Sequence, residues 1–312
     1  ITCGNITCEN IYKNEFENIP HILIDGYNPY YSKGEKQGLA MIKQIPKFLN
    51  SISKENKIAK KIAKDYNIDI IISDNRYGFR SNITKNIFIC HQLQIIAPKL
   101  FSKTLNSINH SLINKFDFCW VPDTCETPNL SGKLSDYRNS GTIKIGPLSR
   151  FKTPVESKTE YKYKFIGILS GPEPHKTILE KILIKEFQKI EFKCAIINGK
   201  IAESKKKIKN IDFYPHQKTQ EFKSLIEQAE TIICRSGYSS IMDLSILQKE
   251  AILIPTPGQT EQEYLAKYHS FASNVKTVDQ KNFKLEMINT YIKIKKCKSS
   301  KLLNEELSKI EL

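Results

Sequence analysis

Short apolar runs alternate with amphipathic segments along most of the chain, and this alternation constrains the fold more than any other feature. The apolar runs suit buried strands, and the segments between them carry apolar residues at helical spacing. Strands that alternate with helices pair in parallel, because each helix returns the chain to the same end of the sheet. We expect strands at 21–24, 68–72, 87–89, 118–121, 163–169, 192–197, 211–213, 231–233 and 251–254. We expect helices at 38–49, 54–66, 103–114, 176–188, 219–228, 240–247 and 261–270. The chain is therefore predicted to be an α/β protein.

The length of 312 residues leaves room for two domains, each with its own core. Residues 150–161 are polar and contain a proline, which is typical of an interdomain connection. We therefore expect an N-terminal domain over 1–149 and a C-terminal domain over 150–312.

The most informative local motif follows the apolar run Thr231-Ile232-Ile233 and reads Cys234-Arg235-Ser236-Gly237-Tyr238-Ser239-Ser240, then Ile241-Met242-Asp243. This pattern indicates a strand, a tight turn and the start of a helix. A helix start leaves backbone N–H groups unpaired and suits a phosphate, and Gly237 has no Cβ to hold the phosphate away. The alternative is an ordinary capped turn that binds nothing.

A second strand end adds polar side chains to the same predicted edge. The run Ala251–Ile254 is followed by Gln259, Glu261 and Gln262. Ligands collect at the carboxyl ends of parallel strands, so these three should share one crevice with Ser236, Ser239 and Asp243. Hydroxyls, amides and an acid are suited to ribose and sugar hydroxyls.

Three further strand ends carry candidate groups. Asp74, Asn75 and Arg76 follow the strand at 68–72, where an Asx turn is the structural alternative. His91, Gln92 and Gln94 follow the strand at 87–89. His91 is either a base or a histidine that holds a cleft together through hydrogen bonds. Ser170 and Gly171 follow the strand at 163–169.

The formal charge of +15 is compatible with nucleic acid or with an anionic membrane surface. The lysines are spread over both halves, however, so solvated faces explain most of the charge. The eight cysteines show no zinc-ligand spacing, and no run approaches the roughly 20 apolar residues that span a bilayer. We expect a reduced cytoplasmic protein.

The segment from Tyr214 to Ala266 resembles the donor-binding domain of family 28 glycosyltransferases. The matching features are Phe213-Tyr214, the run from Ala229 to Gly237, Asp243 at the position of the family's acid, and Gln262 before Tyr264-Leu265-Ala266. The run Ile145–Arg150 is similar to the hinge of that family. The segment His91–Gln94 aligns with its His-Glu-Gln-Asn segment, with three departures.

This resemblance implies a GT-B fold, in which two Rossmann-like parallel-sheet domains face each other across a cleft. It implies that a UDP-sugar is the donor and that a hexosyl group, N-acetylglucosamine above all, moves to an acceptor hydroxyl with inversion. It also implies that helix dipoles and backbone donors stabilise the leaving diphosphate, so that no metal or cofactor is expected. The acceptor would be lipid-linked or a glycan, which favours the inner face of the membrane and peripheral contact with it. The family's N-terminal Gly-rich loop has no counterpart here, so we expect the first strand and that loop to be missing.

The resemblance also distributes roles among the candidates. The donor diphosphate would lie on Ser170-Gly171 and on the turn Ser236–Ser240, which includes Tyr238 and Ser240. Asp243 would bind ribose, and Gln259, Glu261 and Gln262 the sugar. Tyr214 would stack on or flank the base. Arg235 would contact a phosphate or pair with an acid such as Asp212 or Glu230. His91 would be the catalytic candidate, with Asp74, Asn75, Arg76, Gln92 and Gln94 on the acceptor side.

Three alternatives stay open at this level. A sugar-nucleotide epimerase can share the same architecture. A basic nucleic-acid-binding protein is compatible with the charge, although no recognised motif supports it. A catalytically inactive subunit that binds a UDP-sugar for a partner would show the same donor motif.

Overall fold

The computed structural model describes residues 1–16, 19–24, 45–97, 99–156, 158–200, 204–273, 275–287, 292–294 and 301–310. The strands are β1 (Thr2–Gly4), β2 (His21–Leu23), β3 (Ile70–Asp74), β4 (Lys85–Ile89), β5 (Phe118–Val121), β6 (Thr142–Lys144), β7 (Tyr163–Ile168), β8 (Cys194–Ile197), β9 (Lys206–Ile208), β10 (Ile211–Tyr214), β11 (Ala229–Cys234), β12 (Glu250–Leu253), β13 (Lys276–Thr277) and β14 (Ile292–Lys293). The α-helices are α1 (Ile6–Glu15), α2 (Ile45–Asp65), α3 (Lys99–Ile113), α4 (His175–Phe187), α5 (Thr219–Glu227), α6 (Tyr238–Leu247), α7 (Thr260–Ala272) and α8 (Lys301–Ser308).

The N-terminal half contains two parallel sheets. Strands β3, β4, β5 and β6 pair in sequence order, and β1 pairs with β2 across the helix α1. The side chains of Phe88, Leu93, Ile113 and Val121 form a buried cluster on one face of the four-stranded sheet. The chain thus begins with a strand–helix–strand unit, and the expected loss of a first strand and Gly-rich loop stays a prediction.

The C-terminal half is one larger sheet with the order β13-β12-β11-β7-β8-β10-β9, and β14 pairs with β12. The six strands from β13 to β10 are parallel, whereas β9 and β14 are antiparallel additions. The helix α4 packs on one face through Leu179 and Leu183, and α6 packs on the other face through Ile241 and Leu244. This is a doubly wound sheet, as the alternation of strands and helices predicted.

Most predicted elements are confirmed with shifts of one to three residues at their ends. The clearest difference is α2, which runs without interruption where two helices were expected at 38–49 and 54–66. Residues 38–44 lie outside the described part of the chain. The side chain of Ile52, between the two expected helices, is buried, so tertiary packing overrides the weak helix propensity of Asn50, Ser51 and Ser53.

The segment after β6 passes from one half to the other. The Ile145 backbone N–H donates to Val121, and the Gly146 N–H donates to Asp123, so both residues belong to the N-terminal sheet. Leu148 packs against buried clusters of both halves. Beyond it, the ring of Phe151 stacks on Phe222 and the Val155 N–H donates to Leu247, both in the C-terminal half. The chain therefore crosses between the sheets at 146–148. No helix in the described residues is long and apolar enough to cross a membrane.

Candidate functional site

The order of the larger sheet reverses between β7 and β11. From β7 the chain proceeds outward through β8 to β10, and from β11 it proceeds the other way through β12 to β13. Loops that leave the carboxyl ends of β7 and β11 therefore separate to opposite faces and open a crevice. Ser170 and Gly171 follow β7, and Ser236 and Gly237 follow β11, so the predicted diphosphate turns lie at this point. Gly171 has a φ of +92° and faces open space.

The helix α6 begins at this crevice without a side-chain cap. Its N-cap residue is Gly237, and the first intrahelical bond runs from the Ile241 N–H to the Gly237 carbonyl. Ser239 in the first turn is exposed. The Gly237 backbone is extended, with a φ of −70°, so what matters is the missing Cβ and not left-handed geometry. An uncapped helix start presents N–H donors and a partial positive charge to whatever enters.

Gln262 joins the two strand-end turns that the sequence placed together. Its backbone carbonyl accepts a 2.8 Å bond from the Ser236 hydroxyl, and its side-chain carbonyl accepts from the Thr256 N–H at 2.9 Å. Its amide nitrogen would lie 4.0 Å from a Cβ added to Gly237. The turns after β11 and β12 thus form one wall of the crevice, with Gln259 as the N-cap of α7 in that wall.

His91 reaches this wall from the other half of the molecule. Its Nε2 lies 2.8 Å from the Glu261 carboxylate, and its ring stacks on Tyr238 at 4.1 Å between centroids. The Tyr238 hydroxyl in turn donates to the Pro122 carbonyl at 2.8 Å. His91 therefore bridges the cleft. This is the second of the two roles expected from the sequence, that of a histidine that holds the cleft together. Tyr238, predicted to bind the donor, contacts the N-terminal half instead.

Asp243 faces the segment that connects the two halves. Its Oδ1 accepts a 2.6 Å bond from the Ser149 hydroxyl, and its Oδ2 lies 3.9 Å from the Arg150 Nε. Burial raises the pKa of Asp243, while the Ser149 bond and the Arg150 charge oppose that rise. The carboxylate stays partly accessible, with a quarter of its side chain exposed.

Arg235 does not line the crevice, which corrects its predicted role. Its side chain is buried and donates to the carbonyls of Ile254, Pro255 and His175 and to the Gln280 side chain. Burial lowers the pKa of Arg235 to about 10, so it remains charged at neutral pH. The guanidinium ties three loops together from beneath the turn.

The two acids considered as partners for Arg235 are engaged elsewhere. Asp212 accepts a hydrogen bond from the Tyr163 hydroxyl, and Glu230 pairs with Lys164. Tyr214 is also corrected: it is buried, and its hydroxyl shares a 2.6 Å bond with that of Tyr163. Its ring is therefore unavailable to stack on a base.

The acceptor-side candidates divide into exposed and internally bound groups. Asp74, the last residue of β3, and Asn75 after it are exposed, and Asn75 adopts a left-handed φ of 53°. Arg76 forms an ion pair with Glu55 of α2. Although Asp74 is exposed, the surrounding protein atoms partly desolvate its carboxylate and raise its pKa, and the nearby His91 opposes the rise.

The other two acceptor-side candidates hold their own loop. The Gln92 N–H donates to the Cys90 sulfur at 3.2 Å, and the Gln94 side chain donates to the Asp136 carbonyl at 3.1 Å. Only Asp74 and Asn75 of this group therefore lie exposed beside His91.

Two groups of contact residues escaped the sequence reasoning. Ser149 lies in the connection, where a single hydroxyl gives no periodic or spacing signal. Tyr264, Tyr268 and His269 of α7 bind the backbone of the loop at 129–133 in the other half. Their spacing along α7 places them on one helix face, which is the signal that could have revealed an interface.

Comparison with known proteins agrees with this geometry. Residues 175–310 match the glycosyltransferase family 28 C-terminal domain. This part of the chain belongs to that family. The match contains α4, the turn after β11, Asp243 and Gln262.

Two relatives carry the same description, UDP-N-acetylglucosamine–N-acetylmuramyl-(pentapeptide) pyrophosphoryl-undecaprenol N-acetylglucosamine transferase. The protein of Buchnera aphidicola subsp. Schizaphis graminum is 26% identical over 73% of this chain and 64% of its own length. The protein of Haemophilus influenzae (strain PittGG) is 28% identical over 75% of this chain and 66% of its own length. The match therefore spans slightly less than two thirds of these relatives.

Solved structures show the GT-B fold over most of the chain. The glycotransferase of kitacinnamycin superposes with a TM-score of 0.56 at 11% identity, covering 92% of this chain and 80% of that one. The glycosyltransferase SnogD from Streptomyces nogalater superposes with a TM-score of 0.54 at 11% identity, covering 85% and 76%. Two Rossmann-like halves that face across a cleft are the expected architecture, and it is confirmed.

Proposed function

We propose that this family 28 protein transfers a hexosyl group, N-acetylglucosamine first among the candidates, from a UDP-sugar to an acceptor hydroxyl with inversion. The observation that carries the proposal is the uncapped start of α6 at the switch point of the sheet, beside Gln262 and Asp243. A helix start at this place favours a diphosphate. The two N-acetylglucosamine transferases described above are similar over 73% and 75% of this chain.

The donor half supplies binding and stabilises the leaving group. Backbone N–H groups at Gly237–Ser240 would face the diphosphate, and the helix dipole favours its charge. The Asp243 carboxylate would accept a ribose hydroxyl, while Gln259, Glu261 and Gln262 would hold the sugar. Ser170 and Gly171 would close the other side of the diphosphate.

Transfer would proceed by direct displacement at the anomeric carbon. The acceptor oxygen forms the new bond from the face opposite the diphosphate, the old C–O bond breaks, and its electron pair stays on UDP. Inversion follows from this in-line geometry. A base must take the proton of the acceptor hydroxyl, and His91 is the candidate because it crosses the cleft to Glu261 at the sugar end of the site. We assign no metal or cofactor to the reaction.

The acceptor would approach from the N-terminal half, past Asp74 and Asn75. We propose a lipid-linked or glycan acceptor and a cytoplasmic protein at the inner face of the membrane. Nothing in this arrangement calls for a nucleic acid.

Calorimetric titration of the full chain with UDP, UDP-N-acetylglucosamine and GDP tests the donor site, each in buffer with EDTA and in buffer with Mg²⁺. We expect both uridine compounds to bind, GDP to bind much more weakly, and EDTA to change nothing. Failure of every nucleotide to bind would remove the proposal. A labelled UDP-sugar that yields an epimer without any acceptor would replace transfer by epimerisation.

The variant Asp243→Ala sharpens the same titration. We expect it to weaken UDP binding by roughly 1–3 kcal/mol, because a charge-assisted hydrogen bond to ribose is lost. Glu230→Ala is the matched control, since this acid lies at the opposite end of β11 and pairs with Lys164. Equal UDP affinity of Asp243→Ala and the wild type would place the ribose elsewhere.

A further inference from the structure

The two oxygens of the Asp243 carboxylate have different surroundings. Oδ1 accepts the 2.6 Å bond from the Ser149 hydroxyl. Oδ2 lies 3.9 Å from the Arg150 Nε, which is beyond hydrogen-bond distance. One oxygen is therefore held by the protein, and the other retains lone pairs for a further donor.

The connection that carries Ser149 is itself fixed to the C-terminal half. The guanidinium of Arg150 lies 4.0 Å above the Phe222 ring, and the Phe151 N–H donates to the Ser149 hydroxyl at 3.1 Å. The Leu148 N–H points to the Met242 sulfur at 3.3 Å, one residue before Asp243. Ser149 thus has a defined place relative to α6, and its hydroxyl both accepts from Phe151 and donates to Asp243.

We propose that Ser149 is a positioning residue for the nucleotide site: its hydroxyl holds one oxygen of Asp243 so that the other faces the ribose of the bound nucleotide. This rests on the proposed function, because it assumes that Asp243 binds the donor. Ser149 itself touches no ligand in this proposal. It lies directly after residues 146–148, where the chain crosses between the two sheets.

A free aspartate on a helix surface samples several χ1 and χ2 rotamers, and only some of these direct an oxygen to the crevice. The Ser149 bond selects one of them before the nucleotide arrives, which lowers the entropic cost of binding. It also stabilises the charged form of a carboxylate that burial disfavours.

The first test measures UDP affinity of Ser149→Ala in the full chain. We expect a loss of about tenfold, as for one hydrogen bond to a charged group, and Ser149→Thr should restore most of it because the hydroxyl is kept. The matched control is Thr153→Val, which removes another hydroxyl of the same connection that accepts from Lys223 and not from α6. Unchanged or tighter UDP binding by Ser149→Ala would overturn the proposal.

A second readout separates positioning from general damage to the fold. The carboxyl carbon resonance of Asp243, titrated by NMR without nucleotide, should show a higher pKa in Ser149→Ala than in the wild type. Among the residues that the structure describes, the charged and titratable groups that face Asp243 are Arg150 from the connection and the Cys234 thiol from β11, whose pKa burial raises to about 12. Neither changes charge in the acid range, so the titration reports Asp243 itself.

The pH dependence of UDP binding should shift in the same direction as the pKa of Asp243. UDP binding needs the ionised carboxylate, so it should be lost at a higher pH in Ser149→Ala than in the wild type. An identical resonance titration and an identical pH profile would overturn the positioning role even if UDP binds. Absence of UDP binding in the wild type would instead overturn the proposed function. Full UDP binding by Asp243→Asn would remove Asp243 from the nucleotide site and with it the role of Ser149.

Discussion

Arg235 shows how one buried side chain shapes a turn that the sequence assigns to a ligand. The motif places this cation next to Ser236 and Gly237, where a phosphate contact is a reasonable expectation. In the fold, its guanidinium turns inward and donates to backbone carbonyls of two other strand-end loops. Because these bonds are buried and the donor is charged, the guanidinium acts as a structural tie between the loops.

Arg235→Met should therefore destabilise the fold. We expect a loss of about 3–5 kcal/mol in the free energy of unfolding, since several buried carbonyl groups would lose their donor. Urea unfolding followed by circular dichroism measures this. Lys164→Met is the control, because its ion pair with Glu230 is only partly buried and should contribute at most about 1 kcal/mol. If Arg235→Met kept the stability of the wild type but lost UDP binding, Arg235 would be a nucleotide-binding residue and not a structural one.

His91 offers a second prediction for a single residue. His91→Ala should leave UDP affinity within about twofold, because the nucleotide contacts proposed here lie on the C-terminal half. Transfer to an acceptor should fall by about a hundredfold, the usual contribution of a positioned base. His110→Ala is the control for support of this loop, since that ring stacks on Tyr137 and its Nε2 lies 3.0 Å from the Leu93 carbonyl, two residues beyond His91. Normal transfer by His91→Ala would leave this residue as a bridge between the halves.

At the scale of the element, the start of α6 is the feature that the proposed function uses most. The Gly237 backbone is extended, and an added Cβ meets nothing closer than the Gln262 amide at 4.0 Å. Gly237→Ala should therefore fold with a free energy of unfolding within about 1 kcal/mol of the wild type. We expect it to weaken UDP binding at least tenfold, because the methyl group occupies space that the diphosphate needs.

Gly167→Ala provides the contrasting variant for calorimetry and thermal unfolding. An added Cβ at Gly167 lies 2.6 Å from the Leu183 side chain, in the core beneath α4. We expect lower thermal stability with UDP affinity retained by the folded protein. If Gly237→Ala also kept full UDP affinity, the start of α6 would be an ordinary turn without a ligand.

At the scale of the whole molecule, α7 holds the two halves together. Tyr264 and Tyr268 bond to the backbone at Lys133 and Asn129, and the His269 Nε2 lies 2.8 Å from the Leu130 carbonyl. Leu130 also belongs to the same apolar cluster as residues of α6 and α7. The cleft wall that carries Glu261 and Gln262 is thus tied at its far end to the N-terminal half.

This interface should weaken in acid. Burial lowers the pKa of His269 below its ordinary value, so the unfolded chain binds a proton more readily than the folded one. The neutral ring therefore contributes stability that is complete above about pH 6.5 and is lost as the pH falls through the lowered folded-state value. Thermal unfolding between pH 7.5 and 5 should show a smaller decrease for His269→Gln than for the wild type. Parallel pH profiles would assign the acid sensitivity to other groups.

The spacing of apolar residues predicts the strands and helices, because burying one face of such an element requires apolar residues at fixed intervals within the element itself. The strands at 118–121 and 211–213, and the parallel order that their helices impose, follow from that requirement. The meeting of Ser236 and Gln262 is predictable for the same reason, since both follow neighbouring parallel strands at one edge of the sheet. The family match and the structural neighbours confirm the fold class that the motifs imply.

The direction in which each polar side chain points depends on the tertiary structure. Arg235 and Tyr214 turn inward because carbonyls and a hydroxyl of distant segments require partners there, and no local pattern records those needs. Ser149 meets Asp243, 94 residues away in sequence, only after the connection packs on α6. The amino-acid sequence thus determines the layers of this protein and the edge that carries its crevice. Long-range packing decides which candidates face the crevice, because each buried polar group must find its partner.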